Sequence, residues 1–219
     1  MTTPDHEHDL LLGAFARTVA ERGYPRTRPR DVADAAGLSE AAFHARFTDL
    51  DDCFVALYRH CTGLLRSRAD AAFRAAGSDW RAGLSAALGT VLAMIAASPE
   101  HARACLLDVS SAGPRVRLER LRFLGGLRGL LRGPSPGPVP DSSPGPGRDR
   151  GPASGPDPAP EPDPGALPDV VRDAIIGGLY GTVYARVAAG RTRELPDLAP
   201  ALAAFTLGYF AASDAAVSR

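Results

Sequence analysis

Residues 23–47 read GYPRTRPRDVADAAGLSEAAFHARF, two short helical segments joined at Ala36-Gly37-Leu38-Ser39 and lying directly behind an amphipathic helix that starts near the N-terminus. Within residues 31–36, Val32, Ala35 and Ala36 share a face at helical spacing, and their small side chains let another helix come close. Gly37 ends the segment, because a glycine just past the last turn takes the left-handed conformation without a Cβ penalty. Leu38 is expected to drop between helices, and Ser39 to cap the following segment, residues 40–47. Phe43 and Phe47 stand four apart, so both anchor that segment from one face. Glu40, Ala41, Ala42, His44 and Arg46 are left facing outward. The spacing predicts a helix-turn-helix whose second helix enters the major groove of DNA.

Outward from this stretch the chain reads as helices until its composition breaks. Residues 51–76 form one long amphipathic helix, with Phe54, Leu57, Tyr58, Cys61, Leu64 and Leu65 at helical spacing. Helices are expected over 79–97, capped by Ser78, and over 100–112 and 114–131, each headed by a proline suited to a first turn. The segment 133–168 holds 13 of the 20 prolines. With so little to bury it cannot offset the entropy of ordering, and a disordered insertion is expected there. Two helices follow, over 170–189 and 198–212. The first carries Ile175, Ile176, Leu179, Val183 and Val187, interrupted by Gly177, Gly178 and Gly181. The second, with Leu202, Phe205, Leu207, Tyr209 and Phe210, is apolar around most of its circumference and must be covered by something.

Composition sets the outer limits. The 219 residues are 45% hydrophobic and carry 25 basic and 25 acidic side chains, so a non-specific nucleic-acid coat is excluded and any DNA affinity has to come from local placement. Asp5, Glu7 and Asp9 even make the N-terminal region acidic. Cys53, Cys61 and Cys105 are odd in number with no C-x-x-C pairing, which suggests neither a disulfide framework nor a zinc site. Cys53 and Cys61, eight apart on one helix, lie about 12 Å from each other, too far to bond. No metal and no cofactor are expected. The five histidines are scattered as His6, His8, His44, His60 and His101, and no catalytic triad, H-E-x-x-H or phosphate loop appears, which argues against an enzyme. The polar, acidic start does not look like a signal peptide, and no run reaches the ~18 uninterrupted apolar residues of a spanning helix. A cytoplasmic protein without membrane contact is expected.

Residues 10–59 resemble the N-terminal domain of TetR-family transcriptional regulators, and the rest of the chain resembles them in outline. Leu11, Ala14, Phe15 and Val19 match the buried face of that family's first helix, Glu21-Arg22-Gly23-Tyr24 its end, and Thr27 with Asp31-Val32-Ala33 the start of its second. Ala36-Gly37-Leu38-Ser39 matches the turn, Phe47 the aromatic closing the recognition helix, and Asp51-Asp52-Cys53-Phe54 the start of a long fourth helix. The chain departs from the pattern at His44, where the family usually has tyrosine, at Arg46, and at Leu50, where a lysine is common. Tyrosine and lysine there contact phosphate in relatives, so their loss is expected to weaken binding.

The resemblance implies an all-α fold of about nine helices. A three-helix DNA-binding domain would span residues 1–50, and a regulatory and dimerisation domain residues 51–219, with the proline-rich insertion at 133–168. It implies DNA contacts from Thr27, Arg28, Arg30, Ser39, Glu40, Ala41, Ala42, His44 and Arg46 to a palindromic double-stranded operator. It implies an effector pocket for a small, mostly apolar molecule, with Leu88, Leu92, Met94, Leu106, Leu127, Tyr180 and Tyr184 as its lining. Trp80, His101, Arg103 and Asp108 would orient that molecule. It also implies a homodimer closed through Ile176, Leu179, Val183, Phe205, Tyr209 and Phe210. A ligand-released repressor is the expected function. A TetR-like helical dimer that has lost operator binding is the alternative, motivated by His44, Leu50 and the acidic N-terminus.

Overall fold

The computed structural model describes residues 4–127, 131 and 167–217, and among them contains α-helices and short 3₁₀ turns but no strand. Helices α1 (Pro4–Arg22), α2 (Pro29–Ala36) and α3 (Glu40–His44) build the N-terminal head. The local chemistry is the one the sequence dictates. Gly37 sits at φ 70° and ψ 28°, the left-handed conformation, and the Ser39 side chain accepts from the Ala42 amide at 3.1 Å. Regular helix ends at His44 rather than Phe47, although the Phe47 amide still donates to the Phe43 carbonyl at 2.9 Å. Asp31 serves the start of α2 by accepting from the Arg28 amide at 2.9 Å, and it also pairs with Arg22 at 3.0 Å.

Helix α4 (Leu50–Ala75) leaves the head, capped by Asp49, whose carboxylate accepts from the Asp52 amide at 2.7 Å. Its first turns complete the head core, where Leu11, Phe15, Val19, Val32, Phe43, Phe47, Phe54 and Leu57 are all buried together. That core does not stop at the head. Ala104, Val109, Ala112 and Val116 continue it into the body, so α4 crosses a packed joint and not a free hinge.

The body comprises α5 (Trp80–Ala97), α6 (Pro99–Leu106), α7 (Pro114–Leu127), α8 (Asp169–Ala188) and α9 (Ala199–Val217). Asp79, not Ser78, caps α5, accepting from the Ala82 amide at 2.9 Å. The helix expected over 100–112 breaks at Leu106 and continues as a 3₁₀ turn, Asp108–Ser111, because Asp108 is turned toward the Tyr24 amide, 3.5 Å away, and serves the head. A further 3₁₀ turn, Thr192–Leu198, precedes α9 and tolerates Pro196, which has no amide hydrogen to lose. Residues 133–166 of the proline-rich insertion, and the final residues of the helix expected over 114–131 apart from Leu131, lie outside the described residues.

Helix α5 packs along α4, α9 and the Thr192–Leu198 turn. With a mean hydropathy of 1.4 it is long and apolar enough, by length and composition, to cross a membrane, although Arg81, Ser85 and Thr90 interrupt its apolar run. Gly83 lets it approach α4 closely, since a Cβ there would come within 3.0 Å of the Phe73 ring and carbonyl.

Candidate functional site

In the head, Phe43 and Phe47 are buried against each other with ring centroids 5.4 Å apart, and His8 of α1 meets Phe47 at 5.3 Å. Pinning α3 by that face turns the opposite one outward. Ser39, Glu40, Ala41, His44 and Arg46 are exposed, Ala42 is half-buried, and Arg28 and Arg30 stand exposed at the start of α2. Thr27 is turned inward instead. It is buried, and its hydroxyl donates to the Gly23 carbonyl at 3.1 Å, so it locks the loop before α2 and its side chain is withdrawn from the outer face.

The charges on this face are partly spent within the chain. Arg46 pairs with Glu7 of α1 at 3.4 Å, and His44 lies 3.9 Å from Glu40. Arg28 and Arg30 have no carboxylate partner among the described residues, which leaves them as the free cations of the face. Beside them a shallow hollow is lined by Tyr24, Pro29, His44, Thr48, Asp49, Leu50 and Asp51. Its acidic residues oppose a phosphate. Asp49 is partly offset by Arg115, which reaches it from α7 at 2.6 and 2.7 Å.

Asp51, at the start of α4, ties the head to the body. Its carboxylate accepts from the Tyr24 hydroxyl and from the Gly113 amide, the latter at 3.2 Å. Burial and this carboxylate push the Tyr24 phenol well above its ordinary value, so the proton stays in place at any working pH. A Cβ at Gly113 would overlap the Asp51 carboxylate, which would have to move aside. Asp108, on the adjoining turn, is raised above its ordinary value by burial. None of this was visible in the sequence, since the partners are 27 to 84 positions apart and no periodicity links them.

The body divides the expected pocket residues between clusters. Leu88, Leu92 and Leu106 pack with Ala102, Val183, Val187 and Leu195. Leu127 joins Trp80, Ile175, Ile176, Leu179 and Phe210 in another. Tyr180 lies under the Arg120 guanidinium, 5.0 Å from the ring centre, and stacks on Tyr184, which is 39% exposed; Met94 is half-buried and belongs to neither cluster. The Tyr180 hydroxyl and His101 Nδ1 are buried without a hydrogen-bond partner. Among the described residues no three His, Cys, Asp or Glu side chains group to hold a metal. Arg103 stands 4.0 Å from Asp108, pairing with it on the side of the body nearest the head.

His101 gives this region a pH signature. Burial holds its imidazole below the ordinary value of 6.5. With a lower proton affinity folded than unfolded, stability is full while the ring is neutral and falls as pH drops below about 6.5 toward the folded value. The unfolding midpoint of the wild type should therefore fall more steeply between about pH 7 and 5 than that of His101→Asn. Parallel slopes in a pH series of melting curves would contradict this.

The expected dimer residues separate as well. Ile176, Val183 and Phe210 are buried within the subunit, Phe210 against Trp80 at 4.5 Å, and Leu179 is half-buried. What α8 exposes is the reverse side, Ala174, Gly177, Gly178, Gly181, Tyr184 and Ala185, at helical spacing. On α9, Ala201, Ala204, Phe205, Gly208 and Tyr209 are exposed, and Phe205 lies 3.5 Å from where a Gly178 Cβ would stand.

Residues 11–57 match the family model described as bacterial regulatory proteins, tetR family. Among solved structures, the fatty acid degradation regulator FadR from Bacillus halodurans is similar, with a TM-score of 0.70 at 17% identity, over 95% of this chain and 97% of that one. FadR from Bacillus subtilis, solved in complex with stearoyl-CoA, has a TM-score of 0.68 at 16% identity, over 90% and 96%. PfmR of Thermus thermophilus, a TetR family regulator, has 0.62 at 18% identity, over 94% and 97%. Among curated proteins none matches the chain in sequence.

Proposed function

Starting from a chain whose residues 11–57 carry the tetR-family domain and whose fold is that of TetR-family regulators, we propose that it is a sequence-specific repressor, released from its operator by a small molecule. The observation that carries this is the orientation of α3. Both of its phenylalanines are buried and its other side is open, with Arg28 and Arg30 flanking it. Arg28 and Arg30 supply phosphate contacts, Ser39 to Ala42 with His44 meet base edges, and Arg46 joins once it leaves Glu7. In this reading residues 1–50 are the DNA-binding unit and residues 51–219 the regulatory and dimerisation unit. Two copies close through the small-residue side of α8 and the exposed side of α9, presenting their recognition helices to adjacent half-sites. A cytoplasmic location follows from this function.

The effector is a bulky, largely apolar molecule held between α4, α6, α7 and α8. A long-chain acyl thioester is the class to try first, because stearoyl-CoA occupies one similar structure. A ligand-bound conformer in which α4 swings would change the separation of the two heads.

Salt titration of binding to the DNA upstream of the chain's own gene tests the reading. Affinity should fall steeply with salt, Arg30→Ala should lower the salt slope by about 1, and stearoyl-CoA should release the DNA. A second reading, a TetR-like helical dimer that no longer binds DNA and serves as a ligand-binding or interaction module, is favoured by the Arg46–Glu7 pair and by Asp49 and Asp51 beside the groove face. It predicts negligible binding at every salt concentration.

A further inference from the structure

The start of α7 is fastened to the start of α4 from both Gly113 and Arg115. The Gly113 amide donates to Asp51 at 3.2 Å, and Arg115 Nη2 donates to both carboxylate oxygens of Asp49, at 2.6 and 2.7 Å. Asp49 is itself fixed, because it caps α4 by accepting from the Asp52 amide. The ion pair is nonetheless open to solvent, with 53% of the Arg115 side chain and 52% of the Asp49 side chain exposed. Asp49 lines the shallow hollow together with Pro29, which stands between Arg28 and Arg30, and with His44 of the exposed side of α3. Arg115 therefore brings a cation of the body to the face that α2 and α3 present.

Among the arginines of α7 this placement belongs to Arg115. Arg117 turns back onto the Ala112 carbonyl at 2.8 Å, Arg120 covers Tyr180 at 5.0 Å, and Arg122 binds Glu119 at 2.7 Å. Arg115 also keeps donors in hand. Only its Nη2 is engaged, and its Nε and Nη1 donate to nothing among the described residues.

We propose that Arg115 is a contact to the DNA backbone supplied by the regulatory body: Nη2 keeps Asp49 while a free N–H of the same guanidinium binds a phosphate oxygen. This rests on the regulator reading proposed above. An unpaired Asp49 carboxylate beside the hollow would repel a phosphate, and pairing with Arg115 offsets that charge. The planar guanidinium fork then serves carboxylate and phosphate together, because its donors point in different directions from one plane. A DNA strand lying over the hollow is held from α2 by Arg28 and Arg30 and from α7 by Arg115, so the body helps to set the register of the head on its site.

The test is a salt titration of the full chain on the DNA upstream of its own gene, repeated on duplexes with single methylphosphonate substitutions, each of which removes one phosphate charge. Arg115→Ala should lower the magnitude of the salt slope by about 1 and weaken binding roughly tenfold at about 0.1 M salt. In the wild type, one phosphate of each half-site should cost affinity when neutralised and cost nothing in Arg115→Ala, a coupling that a merely structural role would not produce. Asp49→Asn, which keeps a capping side chain on α4, should leave that coupling in place. Arg115→Gln carries the same expectation if the alanine variant folds poorly. An unchanged slope in the Arg115 variants while Arg30→Ala lowers it, or the same methylphosphonate profile with and without Arg115, overturns the contact and leaves the regulator reading standing. No binding by the wild type at any salt concentration overturns both.

Discussion

Phe43→Ala is expected to lower the stability of the chain by about 3–5 kcal/mol and to abolish operator binding while leaving the dimer assembled. The side chain has no exposed surface and touches Phe47 on one side and the His44 ring edge-on at 5.4 Å on the other. Alanine would leave a cavity that the short α3, five regular residues long, cannot collapse around. The loss is borne by the element that must hold its outer face still against DNA. The surfaces on α8 and α9 share no core cluster with Phe43, so self-association should survive. Thermal unfolding and the mass in solution, measured on the same sample, check both halves. A variant that keeps its melting temperature would show that α3 is not held as described.

The second large effect is expected at Gly113→Ala. A methyl group there overlaps the Asp51 carboxylate, which must move and give up its bonds to the Tyr24 hydroxyl and the Gly113 amide. Two hydrogen bonds to a charged group are lost together with some local packing, a cost of about 2–4 kcal/mol. Because these bonds join the loop after α1 to the turn before α7, the head should also lose its fixed position on the body, and operator affinity should fall with stability. Asp51→Ala provides the control. In that background the substitution at Gly113 no longer meets the carboxylate, so the two costs should be far from additive. Chemical denaturation of the two single variants and the double variant measures this, and simple additivity would mean that the clasp does not exist.

How far the sequence could be read depends on the range of the interaction. The turn was legible because its determinants are local: Gly37 for the left-handed residue, Ser39 for the cap, and Phe43 with Phe47 for the buried side. Most helix ends were legible to within a residue or two, but α3 stops at His44 short of the expected Phe47, α9 runs to Val217 past the expected residue 212, and α6 ends early where Asp108 turns toward the head. The face of α8 was not legible. That helix has isoleucine and valine on one side and glycine and alanine on the other, and both sides are compatible with burial. The structure sends the bulky side chains into the subunit core and leaves the small ones outside, where a second backbone can come near. The pairing of Arg46 with Glu7 and the Asp51 clasp join residues distant in sequence, and nothing in composition or periodicity announces them.

The account depends most on the outer face of α3 being presented to DNA twice, by a symmetric pair of chains. Footprinting of the purified protein on the region upstream of its own gene tests this directly. Two protected half-sites, centred about one helical turn or slightly more apart and lost together in Phe43→Ala, are the predicted result. A single protected site, or none at low salt, would contradict it.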